Sequence, residues 1–317
     1  MANERTGTVL ASAGAVAFGL TILCNRTLAQ RGYGPQATLS IRFATTAAVL
    51  FSILIVVRRP RRPTAGGVGR PVLLGAFGYA IQSSLFYAAL QRGTAAAVAL
   101  LFYVYPMIVT SIELVTSRVR ATTRLLAALA LSVAGTALIV ATGDSVALSP
   151  TGVGFALGAA VSFALYLLAS DRFASGTDPM VNGAWVAAGA ATSLTLQGVV
   201  TGGLRNPGDD LPLMLANGAA TAAAFSLLFA ALARLGPSRT AMVLTLEALS
   251  AVVLGALVLG EPVTAAQLLG GSAILGAVVL VAVSSVRSSA DAGSAHLPAA
   301  RWRSRRRPWA GDGAPPG

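Results

Sequence analysis

Apolar stretches of about the length needed to span a bilayer follow one another along almost the whole chain. A helix needs roughly 20 mostly apolar residues to cross a membrane. Ten such runs are separated by charge clusters and Gly/Pro turns. They lie at 8–25, 36–57, 71–91, 95–117, 122–142, 152–170, 180–202, 213–234, 238–260 and 264–285. The sequence therefore predicts an all-α polytopic membrane protein with ten transmembrane helices.

The composition excludes a soluble fold. Of the 317 residues, 55% are hydrophobic and only 11% are charged, whereas soluble domains carry about 25% charged residues. A water-soluble protein of this size could not cover its surface with so few polar groups. The one cysteine, Cys24, excludes an intrachain disulfide, and the one histidine, His296, lies in a polar tail. We therefore expect no cofactor and no histidine-based metal site.

The placement of arginines predicts the orientation of the chain, because cytoplasmic loops carry the excess of basic residues. With a cytoplasmic N-terminus, 18 of the 23 arginines fall on the cytoplasmic side and Arg42 falls within the second span. Four fall outside, namely Arg26, Arg31, Arg92 and Arg205. Both termini are therefore expected in the cytoplasm. This distribution also accounts for the net charge of +12, so no nucleic-acid partner is inferred.

The sequence repeats itself after 143 residues. At that offset "GAFGYAIQSSLFYAALQRG" (75–93) aligns with "GAATAAAFSLLFAALARLG" (218–236), and the register continues without a gap to give 16 identities in 60 positions. Each copy holds five predicted spans, and five is odd, so the second copy must enter the membrane from the other face. The sequence predicts two inverted five-helix repeats, 1–143 and 151–286, and a disordered, basic cytoplasmic tail, 287–317.

Inverted repeats are typical of alternating-access transporters, whose substrate site lies near the bilayer midplane between the repeats. Transport of a small molecule is therefore the favoured function. Two other classes stay open at this point: a membrane sensor or scaffold that transports nothing, and a membrane-embedded enzyme. The sequence has no P-loop and no acidic pair of the kind a membrane prenyltransferase needs, so enzymatic activity is not expected.

Two stretches resemble the EamA-type branch of the drug/metabolite transporter (DMT) superfamily. They are "FYAALQRGTAAAVALLFYVYP" (86–106) and "ALVLGEPVTAAQLLGGSAILGAVVLV" (256–281), and the resemblance covers essentially residues 6–285. It implies a fold of ten transmembrane helices arranged as two inverted five-helix repeats. It also implies a carrier in the bacterial plasma membrane, commonly an exporter, for small metabolites such as amino acids or drugs.

The chain departs from the family's pattern at two places. Arg118 stands where the first repeat would have the acidic residue that Glu261 supplies in the second. The usual Glu-Pro pair near the centre of the ninth span reads Glu247-Ala248, whereas the fourth span has Pro106. The missing proline leaves open whether the ninth helix is kinked like the fourth.

Ionisable residues within spans are the first candidates for a functional site. Glu247 lies near the middle of the ninth span, where a carboxylate is disfavoured as an anion. It either binds a cationic substrate group and exchanges protons, or hydrogen-bonds within the bundle as a protonated acid. Arg42 either reaches outward or pairs with a carboxylate. Glu113, near the inner end of the fourth span, is interpreted as an interfacial residue within reach of Arg118 or Arg120.

Uncharged polar residues lie at a similar depth. Pro106 removes a backbone hydrogen bond in mid-helix, and two tyrosines stand just before it. The candidates for substrate binding are Tyr103, Tyr105, Gln82, Ser83 and Tyr166. We predict that Tyr105 and Gln82 line the cavity and orient the substrate by hydrogen bonds. For the tyrosines the alternative is a place at the membrane interface, where this residue type is enriched.

The sequence thus predicts a secondary transporter of a small organic metabolite, with export as the expected direction. Its partners are the substrate, protons as a candidate coupling ion, and the lipid bilayer. A homodimer is left open as an assembly. The expected location is a bacterial plasma membrane that the chain crosses many times.

Overall fold

A computed structural model of the chain describes residues 2–57, 65–90, 92, 95–141, 149–174, 178–259 and 263–294. Within these ranges all regular structure is helical. The α-helices are α1 (Ala2–Gln30), α2 (Pro35–Val57), α3 (Ala65–Leu73), α4 (Ala80–Leu90), α5 (Ala95–Phe102), α6 (Tyr105–Val115), α7 (Thr123–Ala141), α8 (Pro150–Ala174), α9 (Pro179–Thr201), α10 (Leu211–Leu235), α11 (Pro237–Leu244), α12 (Leu246–Leu259) and α13 (Ala265–Ser294). A π-helical segment, Leu74–Tyr79, joins α3 to α4, and a short 3₁₀ turn, Gly208–Asp210, precedes α10. The predicted tail beyond Ser294 and the turn at Glu261 lie outside the described residues.

Every predicted span contains one or more of these helices. The third comprises α3, the π-helical segment and α4, the fourth comprises α5 and α6, and the ninth comprises α11 and α12. Among the described residues, six stretches are long and apolar enough to cross a membrane: Glu4–Asn25, Pro35–Val56, Gly67–Ala89, Pro150–Phe173, Gly208–Leu235 and Pro237–Val258. The all-helical, multi-pass membrane fold is therefore confirmed, and the count of ten spans stays a prediction.

The connections between helices gather on two faces of the bundle. On one face, Arg239 of α11 pairs with Glu4 of α1 at 3.0 Å, and Arg118 after α6 pairs with Asp171 of α8 at 3.7 Å. We call this side, where α1 begins, the N-terminal face. On the opposite face, the turn after α1 forms an ion pair with the turn before α10. This grouping is what successive passages through a membrane produce.

Helix packing follows the same pattern in the two halves. At the 143-residue offset, α5 and α6 correspond to α11 and α12, and the third helical stretch (65–90) corresponds to α10. In the structure α1 packs against α10, and its counterpart α8 packs against α4 and the π-helical segment. The pairs α2–α9 and α7–α13, which are their own counterparts, also pack extensively. Each of these helix pairs in one half therefore has an equivalent pair when the two halves are interchanged.

Two glycines at equivalent positions let the halves approach closely. A Cβ on Gly75 would overlap the Val186 carbonyl of α9. A Cβ on its counterpart, Gly218 of α10, would lie 2.8 Å from the Arg42 carbonyl oxygen of α2. The Thr46 hydroxyl also donates to the Gly218 carbonyl at 2.9 Å. The absence of a side chain at Gly218 therefore lets the backbone of α2 at Arg42 approach α10, and the Thr46 hydrogen bond joins the two helices.

We expect Gly218→Ala to destabilise the protein, because the added methyl forces α2 and α10 apart. Overpacking of this kind costs about 1–3 kcal/mol, so the melting temperature in detergent should fall. The matched control is Gly154→Ala in α8, where a Cβ meets nothing within 4 Å. A fall in melting temperature as large for Gly154→Ala as for Gly218→Ala would contradict the close approach.

Candidate functional site

Two helices, one in each half, are interrupted near their centres. The first interruption, Tyr103–Val104, separates α5 from α6 and is followed by Pro106, which has no N–H to donate to the preceding turn. The second, at Thr245, separates α11 from α12 without a proline. There the Thr245 hydroxyl donates to the Met242 carbonyl at 2.7 Å, which competes with helical hydrogen bonding. The ninth predicted span is therefore broken despite its missing proline.

Glu247 lies in the first turn of α12, directly after this interruption. It is only partly buried. Among the described residues it forms no ion pair. The interruption is short: Thr245 keeps helical dihedral angles, and the Ala248 N–H donates to the Thr245 carbonyl at 3.0 Å across it. Glu247 therefore lies beside the distorted turn without a fixed cation.

Arg42 is buried in α2 and does not reach outward, with 6% of its surface exposed. Its Nε donates to the Thr221 hydroxyl of α10 at 2.6 Å, and its Nη2 lies 3.4 Å from the Thr21 hydroxyl of α1. Each threonine hydroxyl donates to a carbonyl of its own helix at 2.8 Å, so its oxygen is available to accept. Neutral groups from two helices therefore hold this cation, and among the described residues no carboxylate forms an ion pair with it.

The predicted tyrosines Tyr103, Tyr105 and Tyr166 are buried inside the bundle and not at its surface. The rings of Tyr105 and Tyr166 lie 4.8 Å and 5.9 Å from Phe163, and the Tyr103 ring lies 6.3 Å from Tyr105. The Tyr105 hydroxyl donates to the Ala241 carbonyl of α11 at 3.3 Å. In this conformation that hydroxyl joins two helices, which the sequence did not indicate.

Tyr79 is a central residue that sequence reasoning missed. Its ring lies 5.2 Å from Phe43, 5.3 Å from Tyr166 and 5.2 Å from Phe225. The charges of Arg42 and Glu247 both act on its hydroxyl. Tyr79 ends the π-helical segment, and π-helical turns occur frequently at functional sites. Nothing in the local sequence marks this turn, although an aromatic residue one turn before Gln82 was a usable signal.

Gln82 and Ser83 lie one turn beyond Tyr79 and are buried, with 7% and 6% of their surfaces exposed. The Ser83 hydroxyl donates to the Gln82 side-chain oxygen at 3.3 Å. Residues three and four apart share a face of a helix, so this pair continues the face that carries Tyr79. Their role in binding stays a prediction.

We define the central cluster as Arg42, Tyr79, Tyr103, Tyr105 and Glu247. Its members come from both halves: Arg42, Tyr79, Tyr103 and Tyr105 from the first and Glu247 from the second. A carboxylate beside aromatic faces suits a cationic group, and a guanidinium suits a carboxylate or phosphate. Within the described residues, no group of three His, Cys, Asp or Glu could hold a metal.

A crevice of about 160 Å³ opens on the opposite face between α2, α4 and α9. It is lined by Pro35, Gln36, Leu39, Ser84, Tyr87, Ala88, Leu194 and Gln197. The Ser84 hydroxyl donates to the Gln197 side chain across it at 3.2 Å. Tyr87, which lines the crevice, lies two turns beyond Tyr79 on the same helical stretch. The crevice therefore lies between the opposite face and the level of the central cluster.

The equivalent place on the N-terminal face, between α2, α9 and α10, is filled by side chains. Leu50, Leu54, Ala184 and Ala222 form a buried apolar cluster there, with Val49, Phe51, Met180 and Val181 packed against it. A second gap, lined by Pro71, Leu74, Phe173, Asn182, Val186 and Phe229, leaves no room for a water molecule. Among the described residues, the crevice is therefore wider than either of these places.

Known proteins resemble the chain in sequence and fold. The profile described as the EamA-like transporter family matches it twice, over residues 5–141 and 150–283. A solved structure described only as "Crystal structure of protein" is similar with a TM-score of 0.75 at 17% identity, covering 89% of this chain and 98% of that chain. At that identity the likeness concerns the fold alone. No curated protein matches the chain significantly.

If Arg42 and Glu247 stabilise each other, a double-mutant cycle will detect it. We expect Arg42→Met and Glu247→Gln each to lower the melting temperature, because each removes one of two opposite charges in the central cluster. The double variant should lose less than the sum, with a coupling of about 0.5–3 kcal/mol. The control cycle pairs Arg42→Met with Asp171→Asn at the N-terminal face and should be additive. Additive effects in both cycles would show that Arg42 and Glu247 do not stabilise each other.

Proposed function

We propose that this chain, which belongs to the EamA-like transporter family, is a secondary transporter that moves a small organic metabolite across a membrane by alternating access. The family match confirms the resemblance of the two motif stretches. Membership indicates a multi-pass membrane transporter of the DMT type rather than an enzyme. The mechanism, the substrate class and the direction are our inference from the arrangement of the helices.

The main support for alternating access is a difference between two equivalent helix pairs: one pair packs together and its counterpart does not. On the N-terminal face α6 packs against α11, which belongs to the other half. The counterpart of this pair on the opposite face is α12 with α5. Among the described residues, these two helices have no extensive contact. An inverted repeat can adopt the reverse state when the two halves exchange conformations.

The crevice also indicates that the bundle is open toward the opposite face in this conformation. It lies on the face where α5 and α12 are apart, next to the central cluster, and its counterpart is packed with apolar side chains. The arginine and tyrosines of the central cluster are buried, and none of them lines the crevice. We propose that the approach to the cluster from the opposite face begins at the crevice. The reverse state would close the crevice and separate α6 from α11.

The central cluster favours a substrate with a cationic group, such as an amine or an amino acid. Glu247 binds the cation in this proposal, and the rings of Tyr79, Tyr103 and Tyr105 surround it. A proton and the substrate cation compete for the same carboxylate, so each displaces the other on opposite sides of the membrane. Export follows if the inward proton gradient drives that exchange.

We also propose that the N-terminal face is cytoplasmic and that the membrane is the bacterial plasma membrane, since arginines are concentrated on that side. A single cysteine at Ser117, in the exposed bend after α6, tests the orientation in a Cys24→Ser background. We expect no reaction with an impermeant maleimide in intact cells and ready reaction after permeabilisation. A cysteine at Arg205, in an exposed loop of the opposite face, is the positive control. Labelling at 117 in intact cells would reverse the orientation.

The coupling role of Glu247 is tested with Glu247→Gln, which keeps the shape but removes the exchangeable charge. Labelled amino acids and amine drugs are offered to proteoliposomes across a range of pH. Wild-type flux should depend on a proton gradient, whereas Glu247→Gln should insert normally and lose gradient-driven flux. Asp171→Asn, a carboxylate change away from the cluster, should behave as wild type. Equal rates and equal pH profiles for Glu247→Gln and wild type would leave Glu247 as a packing residue.

A further inference from the structure

The buried carboxylate of Glu113 joins the two halves of the chain on the N-terminal face. Glu113 lies on α6 with 4% of its surface exposed, and Ser238 in the first turn of α11 has 1% exposed. The Ser238 backbone N–H donates to Glu113 Oε2 at 2.8 Å. The Ser238 hydroxyl donates to the same oxygen. One carboxylate oxygen therefore accepts two hydrogen bonds from the beginning of the facing helix.

The expected arginine partners of Glu113 are engaged elsewhere or point away. After α6 the chain turns back on itself, so that the Arg118 N–H donates to the Glu113 carbonyl at 2.9 Å. This bend places the Arg118 side chain against Asp171 of α8 at 3.7 Å. Arg120 lies beyond the bend and is exposed. Among the described residues Glu113 forms no ion pair, so its charge is stabilised by α11.

The two hydrogen bonds between Ser238 and Glu113 contribute more binding energy than two bonds between neutral groups would. Hydrogen bonds to an ionised carboxylate are roughly twice as strong as those between neutral groups. The N-terminus of a helix adds favourable partial charge, and α11 begins with Pro237 one residue before Ser238. Separation of α6 from α11 would leave a buried carboxylate without its donors, which is costly until water replaces them.

The repeat does not preserve this pair of residues at the equivalent positions of the opposite face. At the 143-residue offset, Glu113 corresponds to Ala256 in α12 and Ser238 corresponds to Ala95 in α5. Two alanine side chains cannot form a hydrogen bond between those helices. The Glu113–Ser238 contact therefore has no counterpart at these two repeat positions, and it lies on the face where α6 and α11 pack together.

We infer that Glu113 and Ser238 form the latch that holds the N-terminal face closed and makes the state open to the opposite face the resting state. Glu113 is a positioning residue in the transport cycle, since it acts through α11 and not on the substrate. The latch rests on the proposed alternating-access function. It predicts that the N-terminal face opens only when both hydrogen bonds break.

The test measures the accessibility of both faces at once, without substrate. In a Cys24→Ser background, one cysteine replaces Thr110, which is fully buried one turn before Glu113. In a second protein, a cysteine replaces Ser84 in the crevice. Labelling rates with a soluble maleimide are compared in detergent for the parent chains, Glu113→Gln, Glu113→Ala and the control Asp171→Asn.

We expect Glu113→Ala to raise the labelling rate at position 110 by about tenfold or more and to lower the rate at position 84. Glu113→Gln should have a smaller effect, because an amide oxygen still accepts but carries no charge. Asp171→Asn, which breaks the neighbouring half-exposed ion pair with Arg118, should change neither rate. If Glu113→Ala does not fold, Ser238→Ala removes one of the two bonds and should shift both rates in the same directions.

Unchanged rates in Glu113→Gln and Glu113→Ala would overturn the latch. A rise at both positions would also overturn it, because general loosening opens both faces whereas release of a latch opens one and closes the other. These outcomes are independent of transport. Absence of flux for every labelled amine and amino acid would refute the proposed function and leave the reciprocal labelling intact.

Discussion

The fold depends on one constraint: a chain within hydrocarbon must satisfy its backbone hydrogen bonds internally. Helices do so along their length, and an interrupted helix is tolerated only where protein surrounds the break. Both interruptions in this chain, at Tyr103–Val104 and at Thr245, occur among buried side chains of the bundle core. The polar residues of the central cluster gather at the same level. The breaks thus determine where charge can be kept inside the membrane.

Two charges held at that level are expensive, and the structure shows how the cost is reduced. Arg42 is bound by threonine hydroxyls from α1 and α10, and close packing at Gly218 holds its backbone in place. Glu247 has the beginning of α12 behind it and no fixed cation. The asymmetry suits transport, because a fully paired carboxylate would have no reason to bind a passing substrate. The arginine is therefore held by fixed hydrogen bonds, whereas the glutamate stays available to bind a cation.

Much of this arrangement could be predicted from the sequence, because helix positions follow from apolar runs and rare ionisable residues stand out within them. Glu247, Arg42, Tyr103, Tyr105 and Tyr166 were selected as candidates from the sequence, and their role in binding stays a prediction. The break at Thr245 was not predictable, since a threonine bonds back to its own helix in many unbroken helices as well. Tyr79 was missed because a π-helical turn leaves no local signature. The partner of Glu113 was misjudged because nearby arginines in sequence outweighed a serine 125 residues away, which only the packing of the halves brings close.

The fastening on the opposite face limits how the bundle can open. Arg31 pairs with Asp210, the Tyr33 hydroxyl donates to the Pro207 carbonyl at 2.7 Å, and Arg205 donates to the Gly32 carbonyl at 3.0 Å. These contacts clip the α1–α2 hairpin to the α9–α10 hairpin across the two halves. We therefore expect the two hairpins to move together as one unit when the bundle changes conformation. The crevice begins beside this fastening, because Pro35 and Gln36, which line it, follow Tyr33 in the chain.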